Sequence, residues 1–151
     1  EGLVDVSTFD HLTSNLDLIR KHFAETGFTQ EYLGDIEKAL EGRKIRRLKI
    51  LGYYSLAKTL HFIQQIAFVL NIKDHFGVTE VIAQEKVAKE FDKAYLNSIG
   101  ISTPPADQCD IPEEGLGDNE VVLIYMRKFP SPLRSNIIKA NQNQLRKLVI
   151  I

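Results

Sequence analysis

Four short apolar runs, each set apart from the next by a stretch with helical spacing, constrain this chain more than any other feature. They are Lys49-Ile50-Leu51 closed by Gly52, Thr79 to Ala83, Val121 to Met126, and Leu145 to Ile151. Such runs read as buried strands. Between the first two, Leu56, Leu60, Ile63, Ile66, Ala67 and Leu70 are apolar nearly all round a helix, which suits an element held between two layers, and Gly77 is placed to end it. Val87, Phe91, Ala94, Tyr95 and Leu96 mark a further helix that stops near Gly100, and another follows over roughly 131–141. Strands alternating with helices predict an α/β domain with a short, mostly parallel sheet, because parallel neighbours require crossover connections.

The first 42 residues have a different rhythm. Phe9, Leu12, Leu16, Ile19 and Phe23 fall on one helical stripe, with Ser7 and Asp10 suited to its start and Gly27 to its stop. Thr29 then serves as an N-cap for Tyr32, Leu33, Ile36 and Leu40, closed by Gly42. The expected organisation is a helical hairpin over 1–42 attached to an α/β domain over 43–151.

Charge is balanced overall, with 19 Lys and Arg against 20 Asp and Glu, so any nucleic-acid or anionic-surface binding needs a local patch. Two stretches are locally polarised. Residues 102–120 carry Asp107, Asp110, Glu113, Glu114, Asp118 and Glu120 and no base, and with Pro104, Pro105, Pro112, Gly115 and Gly117 they read as an exposed loop. Residues 121–151 carry Arg127, Lys128, Arg134, Lys139, Arg146 and Lys147 and no acid. With Arg43, Lys44, Arg46 and Arg47 leading into the first strand, a basic face for RNA or for an acidic protein surface is one reading; solvated strand ends are the other.

The longest apolar stretch, 62–72, is interrupted by Gln64, Gln65 and Asn71 and is too short to span a bilayer. The chain opens on neither Met nor a signal-peptide layout, the pattern of an excised domain. A single cysteine, Cys109, excludes an internal disulfide and multi-thiolate zinc sites, and fits a reducing compartment, cytoplasmic or nuclear. Its neighbours Asp107 and Asp110 disfavour the thiolate a nucleophile needs.

Open parallel sheets bind ligands beyond the carboxyl ends of their strands, which directs attention to 52–55, 83–85 and 127–131. Gly52-Tyr53-Tyr54-Ser55 stands where a dinucleotide-binding chain has G-x-G-x-x-G, and Tyr54 replaces the glycine that lets backbone approach a pyrophosphate. Ser55 reads as a helix cap. His11, His22, His61 and His75 show no metal-ligand spacing, and Glu85, Glu90 and Asp92 complement a helix start rather than forming an acid–base pair. No nucleophile elbow, P-loop or zincin motif occurs. No cofactor and no metal is expected.

The order of segments from residue 45 onward resembles the Sensitivity to Red Light Reduced family, the SRR-like domain. The residues that carry the resemblance are Gly52 and Ser55, Gln65-Ile66-Ala67, Leu96 to Ile101, Val122 to Met126 followed by Pro130, Ala140-Asn141, and the strand Leu148 to Ile151. That likeness implies a three-layer Rossmann-like fold and a regulatory role, the family being associated with light and clock signalling and with haem metabolism. The chain departs from the family pattern at strand ends. Tyr54 stands for a glycine, Ala83-Gln84-Glu85 lacks an Asp-Pro, Arg127-Lys128-Phe129 stands where Pro-His-Cys is usual, and the sequence stops before a Gly-Asn-Ser.

The expectation is therefore a non-catalytic regulatory or scaffolding module with a degenerate cleft, whose partner is another protein. Its contact residues would be Tyr53, Tyr54, Arg127, Lys128, Phe129 and Arg134, together with the exposed side of the hairpin. Two alternatives stand beside it: a nucleotide- or small-molecule-dependent enzyme or sensor using Gly52, Ser55 and Asn141, and RNA binding through the basic C-terminal segment.

Overall fold

Alternation is the reason the sheet is buried on both sides. In the central strands, successive apolar residues point to opposite faces, so Leu48 and Ile50 enter one core while Leu51 enters another, and Val121, Leu123 and Tyr125 oppose Val122, Ile124 and Met126. The computed structural model describes residues 9–105, 112–126 and 131–151. In chain order the elements are α1 (Phe9–Glu25), α2 (Phe28–Leu40), β1 (Lys44–Leu51), a 3-10 turn (Leu56–Lys58), α3 (Thr59–Phe76), β2 (Val81–Gln84), α4 (Glu90–Ser98), β3 (Glu120–Tyr125), α5 (Ser131–Ala140), a second 3-10 segment (Gln142–Lys147) and β4 (Leu148–Ile150). The sheet runs β2-β1-β3-β4 with every pair parallel.

This order makes the fold a three-layer, Rossmann-like α/β domain. Helices α1 to α4 contribute to the larger core, where Leu12, Leu16, Ile36, Leu40, Phe62, Ile66 and Tyr95 meet the sheet. Ile137 of α5 covers the opposite face with Leu51, Val122, Ile124 and Met126. After α4 the chain returns as a short edge partner of β2, Ala83 donating to the Ser102 carbonyl at 2.8 Å and Ser102 donating to that of Val81 at 3.0 Å. It then crosses the second face, where Leu116 packs, and enters β3.

The hairpin shares the main core. Its helix α1 is also latched to α3 and α4: Arg20 donates to Asn71 at 3.0 Å and pairs with Asp74, while Thr13 and Tyr95 share a hydrogen bond at 3.3 Å.

Three local expectations need correction. Helix α2 begins at Phe28, and Thr29 is buried in its first turn with no hydrogen-bond partner for its hydroxyl among the described residues. Gly27, at φ +70°, makes the turn instead, and its carbonyl accepts from Gln30. Strand β1 starts at Lys44, so Lys44, Arg46 and Arg47 lie within it rather than ahead of it. The acidic stretch 102–120 is not wholly exposed, for Glu113 is buried under the second face.

Among the described residues no helix is long and apolar enough to cross a membrane. Cys109, Asp107 and Asp110, and Ser7 at the other end of the chain, lie outside the described residues.

Candidate functional site

Strand order reverses between β1 and β3, since β1 leads outward to β2 while β3 leads the other way to β4. The carboxyl ends of these strands border a cleft of about 660 Å³. Tyr54 after β1, Tyr125 at the end of β3 and Ile151 after β4 form its base, His61, Gln64, Gln65 and Phe68 of α3 form one wall, and Phe23, Phe28 and Tyr32 of the hairpin close the other. The hairpin is thus part of the site. Ring contacts run continuously along this wall: Phe23 to Phe28 at 4.7 Å between centroids, Phe28 to Phe68 at 6.3 Å, Tyr32 to Phe68 at 5.2 Å and Phe68 to Tyr125 at 5.9 Å. At the far end Tyr54 stacks on His61 at 5.1 Å.

The turn after β1 is where a pyrophosphate would sit in a dinucleotide-binding domain, on backbone N–H groups left open at the helix start. Here three of those donors are already committed to side chains. Tyr53 N–H donates to Glu85 at 3.2 Å, Tyr54 N–H to the Gln65 side chain at 3.0 Å, and Leu56 N–H to Asp92 at 3.2 Å. Gln65 also donates to the Gly52 carbonyl at 3.1 Å, so one buried amide clamps the turn from both sides. Two of the three acceptors are carboxylates, and their field opposes a phosphate as well as consuming its donors.

Tyr53 points away from solvent. It is 5% exposed and packs on Phe62, and burial, reinforced by the charges of Asp92 and Glu85, pushes its hydroxyl well above the usual phenol range. A smaller hollow of about 280 Å³ beside Glu85, Lys86 and Lys93 is lined in part by Tyr53. Tyr54 does line the main cleft. Arg134 on α5 is exposed and donates to the Met126 carbonyl at 2.8 Å, which ties the start of α5 to the end of β3. Arg127, Lys128 and Phe129 lie outside the described residues.

Of the residues expected for an enzymatic cleft, Asn141 is elsewhere. It is buried near the end of α5, accepting from Glu113 N–H and donating to the Ile137 carbonyl, both at 2.9 Å. Ser55 opens the 3-10 turn through its carbonyl, which accepts from Lys58, with no hydrogen bond from its side chain to the turn. The basic residues around β1 are largely occupied: Arg43 caps α2 through the Leu40 and Ala39 carbonyls, and Arg46 and Arg47 pair with Glu80. No group of three or more metal-ligating side chains occurs among the described residues.

Sequence reasoning missed one charged centre. Lys49, buried on the second face of β1, donates to Glu113 at 2.6 Å, and the other oxygen of the same carboxylate accepts from Arg47 at 2.7 Å. Burial works against the charge on Arg47, yet the hydrogen bond to Glu113 and the fields of Glu80 and Glu113 keep its pKa above the ordinary value. A lysine inside an apolar run was the available signal, since a buried charge requires a partner.

A parallel, doubly wound sheet with a cleft at its switch point defines the chain as a Rossmann-like domain whose turn after β1 lacks the usual dinucleotide cradle. It belongs to the SRR1 domain family, whose model matches residues 18–151 and so takes in most of the hairpin as well as the sheet. No curated protein matches the chain, and no solved structure does.

Proposed function

We propose that this chain is a non-catalytic regulatory or scaffolding module that acts by binding, with another protein as its partner. The observation that carries the reading is the closed turn after β1, where Glu85, Gln65 and Asp92 take the N–H groups a cofactor phosphate would need. The described lining of the main cleft offers rings and amides, with no carboxylate, ammonium or guanidinium beside its single imidazole, which favours recognition over acid–base chemistry. The partner surface of this reading is the cleft mouth, with the half-exposed Phe28 and Tyr32 on the hairpin side. In sequence, Arg127, Lys128 and Phe129 follow directly on β3.

A thermal-shift screen against nicotinamide dinucleotides, S-adenosylmethionine and ATP tests this. A ligand present at about 100 times its dissociation constant adds roughly 2.7 kcal/mol, which for a domain of this size moves Tm by about 5–10 °C. The expected result is no shift with any of the three. A reproducible shift overturns the non-catalytic reading in favour of a nucleotide-dependent enzyme or sensor.

A further inference from the structure

The main cleft has the dimensions of a small-molecule pocket, about 660 Å³. The described side chains that line it carry no formal charge apart from what His61 acquires on protonation. Rings meet at varied angles, Tyr32 lying at 86° to Phe68 and Phe28 at 70° to it, so the wall presents both faces and edges to whatever enters. A charged ligand would lose its hydration here and gain no counter-charge.

The α3 wall carries two side-chain amides. Gln65 uses its amide on the Gly52 to Tyr54 turn, whereas Gln64, half-buried and lining the cleft, makes no hydrogen bond among the described residues. A primary amide offers an acceptor beside a donor. That pair is complementary to the edge of a heteroaromatic ring carrying a donor beside an acceptor, the geometry by which Gln pairs twofold with a base.

We infer that the cleft binds a neutral, planar heteroaromatic small molecule, of nucleobase or flavin-ring type and without a phosphate, held among the Phe28, Tyr32 and Phe68 rings by face and edge contacts and paired at its edge with Gln64. This rests on reading the cleft as a place of binding rather than reaction. The specificity follows from the described residues of the site: the rings reward an aromatic ligand, the uncharged side chains reward neutrality, the occupied N–H groups of the turn disfavour phosphate, and Gln64 selects the edge.

The test uses lumichrome, a fluorescent uncharged tricyclic heterocycle with an imide edge, titrated with the whole chain and followed by anisotropy. Saturable binding is expected, weakened about tenfold or more by Gln64→Ala and by Tyr32→Ala. Val87→Ala, at an 80% exposed position outside the cleft, is expected to leave it unchanged. Gln64→Glu, of nearly the same shape, gives the same loss and serves as the readout if the alanine variant does not fold. No saturable binding, or binding that the Gln64 and Tyr32 variants leave untouched, overturns the inference while leaving the non-catalytic reading standing. Chemical conversion of bound lumichrome, seen by chromatography of the recovered probe, overturns the non-catalytic reading instead.

Discussion

Replacing Glu113 by leucine removes the carboxylate that pairs with Lys49. The Lys49 side chain is 8% exposed and that of Glu113 5%, so the ammonium would be left largely buried beside Arg47 and without the carboxylate that pairs with it. Breaking a buried pair by deleting one partner costs about 3–5 kcal/mol, a large share of the roughly 5–15 kcal/mol that holds a domain together. In this chain that corresponds to a fall in Tm of about 6–20 °C. The double variant Lys49→Met with Glu113→Leu removes both charges and fills the space, and is expected within about 2 kcal/mol of the parent. The residual loss falls on Arg47, which keeps Glu80 with Nε at 3.2 Å. Urea unfolding of the four species forms a double-mutant cycle, and a coupling energy of about 2 kcal/mol or more is expected. A single-variant loss below about 1 kcal/mol, or a double variant as unstable as the sum of the singles, would refute the argument that this pair is buried and mutually dependent.

Three further outcomes are expected. Leu12, 0% exposed and in the core that the hairpin shares with the sheet, should cost about 2–5 kcal/mol on truncation to alanine and lower a single unfolding transition; a separate early transition would mean that the hairpin folds apart from the sheet. Tyr53 and Tyr95 both have pKa values raised above 10.0 by burial, so their stabilisation is complete below that pH and is lost as pH climbs, when the unfolded chain ionises first. Urea midpoints at about pH 9 and about pH 11 should therefore fall less for Tyr53→Phe than for the parent, and equal falls would count against burial of this hydroxyl as the cause. On the proposed reading, charge reversal at Arg127 and Lys128 should weaken capture of a protein partner in a binding assay with the whole chain; unchanged capture would move the contact to the hairpin or elsewhere.

The layer order was legible because burial on both faces leaves an unmistakable trace. Val121 to Met126 is apolar at six consecutive positions, which a half-exposed strand would not tolerate, and α3 is apolar nearly all round because it lies between the sheet and α1. Boundaries were less visible. At 44–47 the charges of Lys44, Arg46 and Arg47 hide the strand, and the pairing of Arg46 with Glu80 and of Arg47 with Glu80 and Glu113 explains how the two arginines sit in it. In the site, Tyr54 was identifiable as the residue that disturbs the phosphate turn. That Tyr53, its neighbour, is buried was not legible, because adjacent residues in an irregular turn carry no periodic signal of direction.

What the sequence determines by itself is the class of fold and the loss of the glycine pattern, since both reside in residue type and spacing along the chain. The tertiary structure alone decided what took the place of that pattern. Gln65, Glu85 and Asp92 reach the turn from 11 to 36 residues away, and the cleft is walled by a hairpin whose Phe23, Phe28 and Tyr32 come near Tyr54 and Tyr125 only when the core closes. Hydrogen bonds and ring contacts act over a few ångströms in space, and no local spacing records which distant segments the packing brings within that range.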